Sequence, residues 1–356
     1  MRTVDHERHS DLDSIEGCFS GRDAQKDREG VSGEIQAGDE DAREDREGET
    51  DNRDGKSSRE LGNNRGVNMF AKIRIKAGIL KEYLERAHCL VEEFKLSITK
   101  DGFYYKMVDP AHVAMVQASL GSSAFDLLEV EYPSAVTGLP GEKDQLPPQS
   151  IDVVIDLGRL CTTWKNTKPA DIIEIRVPLE EKITIEGVGR KETGITASVL
   201  EIRHNDIIRT IRINPDELAN FSDPKWPAVT LPNKISMRTS DLKAILTEVN
   251  DTSDHVRFRC MKSGLIVDTS PCADSMLRVR KHFKVEMLDG YFHTKETRTL
   301  IALDYLLNIV GSLGKIHLIT IELGTDYPIL ISFEQTMGQD IIGKGSFILA
   351  PRIDND

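Results

Sequence analysis

Leu80-Lys81-Glu82-Tyr83-Leu84-Glu85-Arg86-Ala87 and Leu242-Lys243-Ala244-Ile245-Leu246-Thr247-Glu248-Val249 are the two stretches on which the fold turns. In the first, apolar Leu80, Tyr83, Leu84, Ala87 and Val91 recur at i, i+3, i+4, i+7 and i+11, the spacing of one helical face. In the second, Leu242, Ile245, Leu246 and Val249 repeat the stripe. An alternating run follows each: Phe94, Leu96 and Ile98 before the turn Lys100-Asp101-Gly102, and Val256, Phe258 and Cys260 before Lys262-Ser263-Gly264. These features are 162 residues apart, as are Asp109-Pro110-Ala111 and Pro271-Cys272-Ala273, and Met115 and Leu277. So constant a spacing marks an internal duplication.

A second helix recurs too, at Asp156-Leu157-Gly158-Arg159-Leu160-Cys161 and Ala302-Leu303-Asp304-Tyr305-Leu306-Leu307. Each leads into a strongly alternating run, Ile173–Val177 and Leu318–Leu323, at a spacing of 146 residues. The first copy therefore carries about 16 extra residues, and the Pro- and Gly-rich stretch Tyr132–Pro148 is the place for them. Each copy reads strand, helix, several strands, helix, several strands. Period-2 alternation dominates, which predicts an α+β fold: two duplicated domains of antiparallel sheet, each with two helices covering one face. The expected divisions are a first domain over 69–213, a connector over 214–232 and a second domain over 233–356. Pro215, Pro224, Pro227 and Pro232 make the connector an extended surface segment.

Residues 1–68 carry 11 Lys and Arg against 19 Asp and Glu, a net −8 of the chain's −13. With Phe19 as its one aromatic, this segment cannot bury enough apolar surface to offset the entropy of ordering. It is expected to be disordered, either as a true acidic appendage or because Met69, which opens a strand pattern at once, is the natural first residue. No apolar signal segment and no run of the ~20 apolar residues needed to span a bilayer is visible. Cys18, Cys89, Cys161, Cys260 and Cys272 are odd in number and lack CxxC spacing, so neither a disulfide framework nor a zinc site is implied. Gly187-Val188-Gly189 lacks the context of a phosphate loop, and no HExxH or nucleophile elbow occurs. These observations predict a soluble intracellular protein that is not an enzyme and uses no cofactor or metal.

Two tandem sheet domains leave a strand edge at each outer end. Ile207–Ile213, with Ile207, Arg209, Ile211 and Ile213, is one candidate edge; Ser275–Lys281, with Met276, Arg278 and Arg280, is the other. Pairing one edge with the other in a neighbour is a head-to-tail contact that closes into a ring when the rotation allows. Loops covering both edges would leave a monomer instead.

Several motifs carry a resemblance to a known family. Phe70–Leu120, with Gly78-Ile79-Leu80-Lys81 and Val108-Asp109-Pro110-Ala111-His112-Val113-Ala114-Met115-Val116, resembles the start of the archaeal and eukaryotic sliding clamp, proliferating cell nuclear antigen. Leu303-Asp304-Tyr305-Leu306 and Leu349-Ala350-Pro351-Arg352-Ile353 are similar to the same family, and the likeness covers residues 69–356 in order. The resemblance implies a DNA-clamp fold assembled into a closed homotrimeric ring, with helices lining the hole and sheets outside. Its implied role is a DNA replication and repair processivity factor. Implied partners are double-stranded DNA held without sequence preference, the replicative DNA polymerase, a clamp loader, a flap endonuclease and a DNA ligase; no membrane is involved. The implied location is the cytoplasmic nucleoid of an archaeon or a eukaryotic nucleus. A heteromeric or checkpoint-type clamp and a monomeric peptide-binding module are the alternatives.

By resemblance, Lys81, Arg86, His88, Arg159, Lys165, Lys168 and Lys243 face DNA, touching phosphates without reading bases. Glu82, Thr247 and Gly311 stand where further Lys or Arg would be expected. With a net of −5 over residues 69–356, retention on DNA is expected to be topological. The resemblance also implies a hydrophobic pocket for partner peptides. Val108, His112, Met115, Pro328, Ala350, Pro351, Arg352 and Ile353 form it, with Phe221 and Trp226 of the connector as a further wall.

Overall fold

A computed structural model describes residues 69–131, 150–164, 166–186, 190–197, 199–213, 218, 220–221, 223–269 and 277–352. The expectations for residues 1–68, for the insertion at 132–148, and for Lys165, Met276 and Ile353 lie outside the described residues.

The first copy runs β1 (Met69–Lys76), α1 (Ala77–His88), β2 (Glu93–Thr99), β3 (Gly102–Val108), β4 (Ala114–Gly121), β5 (Phe125–Val130) and β6 (Ile151–Asp156). It continues through α2 (Leu157–Thr163), β7 (Ile172–Glu186), β8 (Arg190–Ala197), β9 (Val199–His204) and β10 (Ile207–Arg212). The second runs β11 (Asn233–Arg238), α3 (Thr239–Asn250), β12 (His255–Met261), β13 (Gly264–Thr269) and β14 (Arg280–Lys284). It ends with β15 (Gly290–His293), β16 (Thr297–Ala302), α4 (Leu303–Ser312), β17 (Leu318–Leu323), β18 (Ile329–Met337) and β19 (Asp340–Leu349). Residues 223–232 between them contain no helix or strand.

The duplication holds down to single hydrogen bonds. Phe94 pairs with Ile155 and Ile98 with Ile151 in the first copy; Val256 pairs with Ile301 and Cys260 with Thr297 in the second. No side chain caps α1, α3 or α4. Their first N–H groups, which have no intrahelical partner, go to backbone carbonyls instead. Ala77 N donates to Asp171 O at 2.8 Å and Thr239 N to His317 O at 3.0 Å, equivalent bonds in the two copies. Leu157 N to Glu92 O and Leu303 N to Asp254 O are a second equivalent pair.

Among the described residues three sheets result, and every strand pair in them is antiparallel. One has the order β10-β9-β7-β1-β5 with β8 also on β7; one has the order β14-β13-β12-β16. The largest, β15-β11-β17-β18-β19-β4-β3-β2-β6, draws strands from both copies. They meet where β4 pairs with β19, Ala114 opposite Leu349 and Leu120 opposite Gly343. The seam is tight at Gly345, where a Cβ would stand 2.5 Å from Phe333 Cζ and 2.6 Å from Gln117 O. The helices bury their stripes against the sheets: Leu80, Tyr83, Leu84, Leu242, Leu246, Val249, Leu306 and Ile309 are all 2% exposed or less.

Both candidate edges are at sheet ends, with one correction. β10 ends its sheet and carries exposed Ile207 and Ile208. The opposite edge is Arg280–Lys284 rather than Ser275–Lys281, so Arg278 precedes the strand. Phe283 sets this register: it is the residue of the strand that turns into the core, opposite Leu265.

Gly102 and Gly264 occupy equivalent turns at φ 135° and 133°, a region that L side chains rarely adopt. A Cβ on Gly102 would lie 1.9 Å from Leu120 O. Gly102→Ala should therefore lower the unfolding free energy by about 2–3 kcal/mol, read as a lower urea midpoint with an unchanged slope. Gly311→Ala, on an open stretch of α4, should raise the midpoint, through a gain in unfolding free energy of up to about 1 kcal/mol.

Candidate functional site

The strand registers bring a line of side chains together on the sheet face away from the helices. Val108 is opposite Met115, Met115 opposite Ile348, and Ile348 opposite Leu330. The line continues through Glu322 and Lys234 to Phe292, so it is apolar over β3, β4, β19 and β18 and charged beyond. Val108 and Met115 come from the first copy, Ile348 and Leu330 from the second. Ile348 and Leu330 escape sequence reasoning because only the seam register makes them neighbours of Met115.

Above this line, Asp109 organises a loop. It is 2% exposed, and its Oδ1 accepts from Val113 N at 2.7 Å and Ala114 N at 2.6 Å. Its Oδ2 accepts from Ala111 N at 3.1 Å and from the Tyr305 hydroxyl of α4 at 2.8 Å. The bond to that carboxylate pushes the Tyr305 hydroxyl pKa up. His112 takes φ 56° within this turn and is exposed. The chain beyond β19 is tied on both sides: Ala350 N donates to Val113 O at 2.8 Å, and Arg352 N to Leu300 O at 2.7 Å. Between them Pro351, half-buried, has no N–H to satisfy.

The rest of the expected pocket lies alongside. Pro328 is half-buried just before β18, after the exposed Tyr327. A Cβ on Gly324 would stand 3.1 Å from Leu231 Cδ2, so the end of the connector abuts the loop leading to Pro328. Phe221 and Trp226 are half-buried in the connector. Asp223, between them in the chain, is held by Lys95 of β2 at 2.7 Å.

The expected DNA-facing residues divide sharply. Lys168 and Lys243 are exposed, and so is Arg159, which pairs with Asp156 at 2.9 Å. Lys81 and His88 are half-buried; Lys81 donates to Thr167 O at 3.3 Å, and burial lowers its pKa. Arg86 requires a correction. It is 1% exposed, donates to Gln335 Oε1 at 2.7 Å and lies over the Phe333 ring at 4.8 Å. Gln335 in turn donates to Glu82 Oε2 at 3.1 Å. A guanidinium so enclosed cannot reach a phosphate; it fastens α1 of the first copy to β18 of the second. Lys315, which the sequence did not single out, is an exposed cation near the end of α4 and pairs with Glu82 at 3.2 Å.

Of the described thiols, Cys260 is fully buried and burial pushes its pKa up to about 11. Among the described residues no cluster of His, Cys, Asp and Glu could hold a metal ion.

No family model matches the chain. It is 31% identical over 286 residues to a DNA polymerase sliding clamp of Methanocella arvoryzae, a match covering 80% of this chain and 99% of that protein. Among solved structures it resembles the Archaeoglobus fulgidus proliferating cell nuclear antigen with the C-terminal region of FEN-1 bound. That likeness has a TM-score of 0.64 and 23% identity, covering 80% of this chain and 100% of the other. The Entamoeba histolytica proliferating cellular nuclear antigen follows at a TM-score of 0.62 and 14% identity, with the same coverage. At these identities the structural likenesses speak for the fold.

Removing one member of a buried charged network typically costs about 3–5 kcal/mol. Arg86→Ala should thus lower stability by about 3 kcal/mol in urea unfolding while leaving the salt dependence of DNA association unchanged. A lost phosphate contact would instead flatten that salt dependence.

Proposed function

The chain belongs to the DNA polymerase sliding clamp family, and on that premise we propose that it is a non-catalytic scaffold whose copies join into a homotrimeric ring around duplex DNA. The observation that carries the ring is the pair of open edges. β10 and β14 each end a sheet, one at the close of the first copy and one early in the second. Beside β14 a hollow of about 250 Å³ is lined by Asp241, Ala244, Ile245, Glu248, Lys281, Phe283 and Met287. Its apolar floor and two carboxylates complement the exposed Ile207 and Ile208 and the cations Arg209 and Arg212 of β10. That complementarity between two parts of one sequence favours a homomeric ring over a heteromeric one.

Duplex DNA would pass over the helices, where Lys243, Lys168 and Arg159 are exposed. Few cations and several neighbouring carboxylates make direct binding weak, so the closed circle itself retains the DNA and permits sliding. The apolar line Val108-Met115-Ile348-Leu330, walled by His112, Pro328 and Ala350-Pro351, would take the hydrophobic anchor of a partner peptide. Flap endonuclease is one such partner, supported by the FEN-1 segment bound to the Archaeoglobus relative. The replicative polymerase, a DNA ligase and a clamp loader are the others. No helix among the described residues is long and apolar enough to cross a membrane; the proposed place of work is the nucleoid or nucleus, with the DNA.

The ring is tested at its seam between subunits. Ile207→Asp, at a position 53% exposed, should leave circular dichroism unchanged and convert trimer to monomer in light scattering. Processivity of a polymerase on primed circular DNA should be lost with it; a persistent trimer would sink the assignment of this edge. In the pocket, Pro351→Asp should keep the trimer but weaken an aromatic-anchored partner peptide by about thirtyfold, an anchor residue contributing roughly 2 kcal/mol. Calorimetry showing unchanged affinity would remove the pocket from these residues.

A further inference from the structure

The sheet β14-β13-β12-β16 buries one face and shows the other. Val256, Phe258 and Cys260 of β12 are fully buried, so Arg257 and Arg259 between them belong to the opposite face. Arg259 is directly opposite Arg298 of β16 on one side and Ile266 on the other, and Ile266 is opposite His282 of β14. In the next row Arg257 is opposite Leu300 and Asp268, and Asp268 is opposite Arg280. A bridge from Leu300 to Arg352 extends that row. Lys284 adds a further cation on β14, its exposed partner Glu286 3.8 Å away.

This is an unusual concentration in a chain of net charge −13. Like charges directly opposite one another destabilise a sheet, yet Arg259 and Arg298 are so placed. Among the described residues one carboxylate, Asp268, sits in the paired rows; it accepts from Arg259 Nη2 at 2.5 Å and Arg280 Nε at 3.2 Å. Arg298 and Arg352 have no carboxylate at ion-pair distance among the described residues. Arg280, His282, Lys284, Arg298 and Arg352 are exposed.

We propose that this face is a second nucleic-acid contact, which holds the phosphodiester backbone of duplex DNA running alongside the protein, without regard to sequence. Strand spacing sets cations roughly 5–7 Å apart in two directions, a spread array suited to a polyelectrolyte. Guanidinium groups match phosphate oxygens in a bidentate fork. A protein partner would need an apolar anchor, but the apolar residues of this face, Leu300 and Ile266, are buried and half-buried. Among the described residues, no Phe, Tyr or Trp is in the two paired rows of this face to stack on bases, so backbone contact is what the rows offer. The contact lies on the face away from the helices and does not depend on whether a ring forms.

The test uses the full chain and a covalently closed duplex circle, which has no end to thread through a ring. Without any clamp loader, the protein should bind the circle with an affinity that falls linearly on a log–log salt plot. Arg298→Glu should weaken binding about tenfold and flatten the slope by roughly one to two phosphate contacts. Arg298→Gln should weaken binding less, while leaving the melting temperature unchanged or higher, since the opposition to Arg259 is relieved and Arg259 keeps its bond to Asp268. Absence of binding by the unaltered protein, or equal affinity and slope in the variants, overturns the proposal. So does competition by polyglutamate as effective, per charge, as by DNA, which would assign the face to an acidic protein.

Discussion

Everything in this molecule depends on the antiparallel seam between β4 and β19. Two copies of a sheet-and-helix unit would otherwise be separate bodies on a string. The ladder from Ala114–Leu349 to Leu120–Gly343 makes their strands one sheet. Buried polar contacts then fix the join: Arg86 with Gln335 and the Phe333 ring, and Asp109 with Tyr305. Such groups stabilise only when satisfied together, because a single one left without its partner costs its full desolvation. The apolar line Val108-Met115-Ile348-Leu330 inherits its geometry from this seam, since half of it comes from each copy.

The same constraint explains how an acidic chain can work on DNA. Cations of the helices are partly consumed in structure: Arg86 is sealed in the join, Lys81 donates to a loop carbonyl, and Lys315 answers Glu82. What is left favours loose, salt-sensitive contact over grip, and a topological link supplies the retention that affinity does not. A sliding clamp needs that balance, because tight phosphate binding inside the hole would oppose movement. The arginine grid on the sheet face away from the helices is under no such constraint, and there Arg280, Arg298 and Arg352 are exposed.

Much of the fold was legible in the sequence for a simple reason. Helix and strand periods are properties of the local backbone, so the stripe Leu80-Tyr83-Leu84-Ala87 and the alternation Phe94-Leu96-Ile98 announce themselves, and their recurrence announces the duplication. The loop centred on Asp109 was legible as a motif, and its physical basis is local too: one carboxylate serves three N–H groups of its own turn. The edge at β14 was found only approximately. Several apolar residues near 276–279 offer an alternating pattern, and the register is decided by which of them the core admits. In the strand that forms, the core admits none of these but Phe283, outside the expected stretch.

By itself, then, the sequence determined the elements, their order, their duplication and the family they belong to, because each is written in short-range spacing or in contiguous motif. It did not determine that Arg86 is enclosed between the two copies, nor that Ile348 and Leu330 lie in register with Met115. Those facts were decided only by tertiary structure. Arg86 meets its acceptor across 249 residues of chain, and a strand shows its alternation without showing which strand will lie against it. Burial and neighbourhood are properties of the assembled sheet, fixed when distant backbones choose a common register.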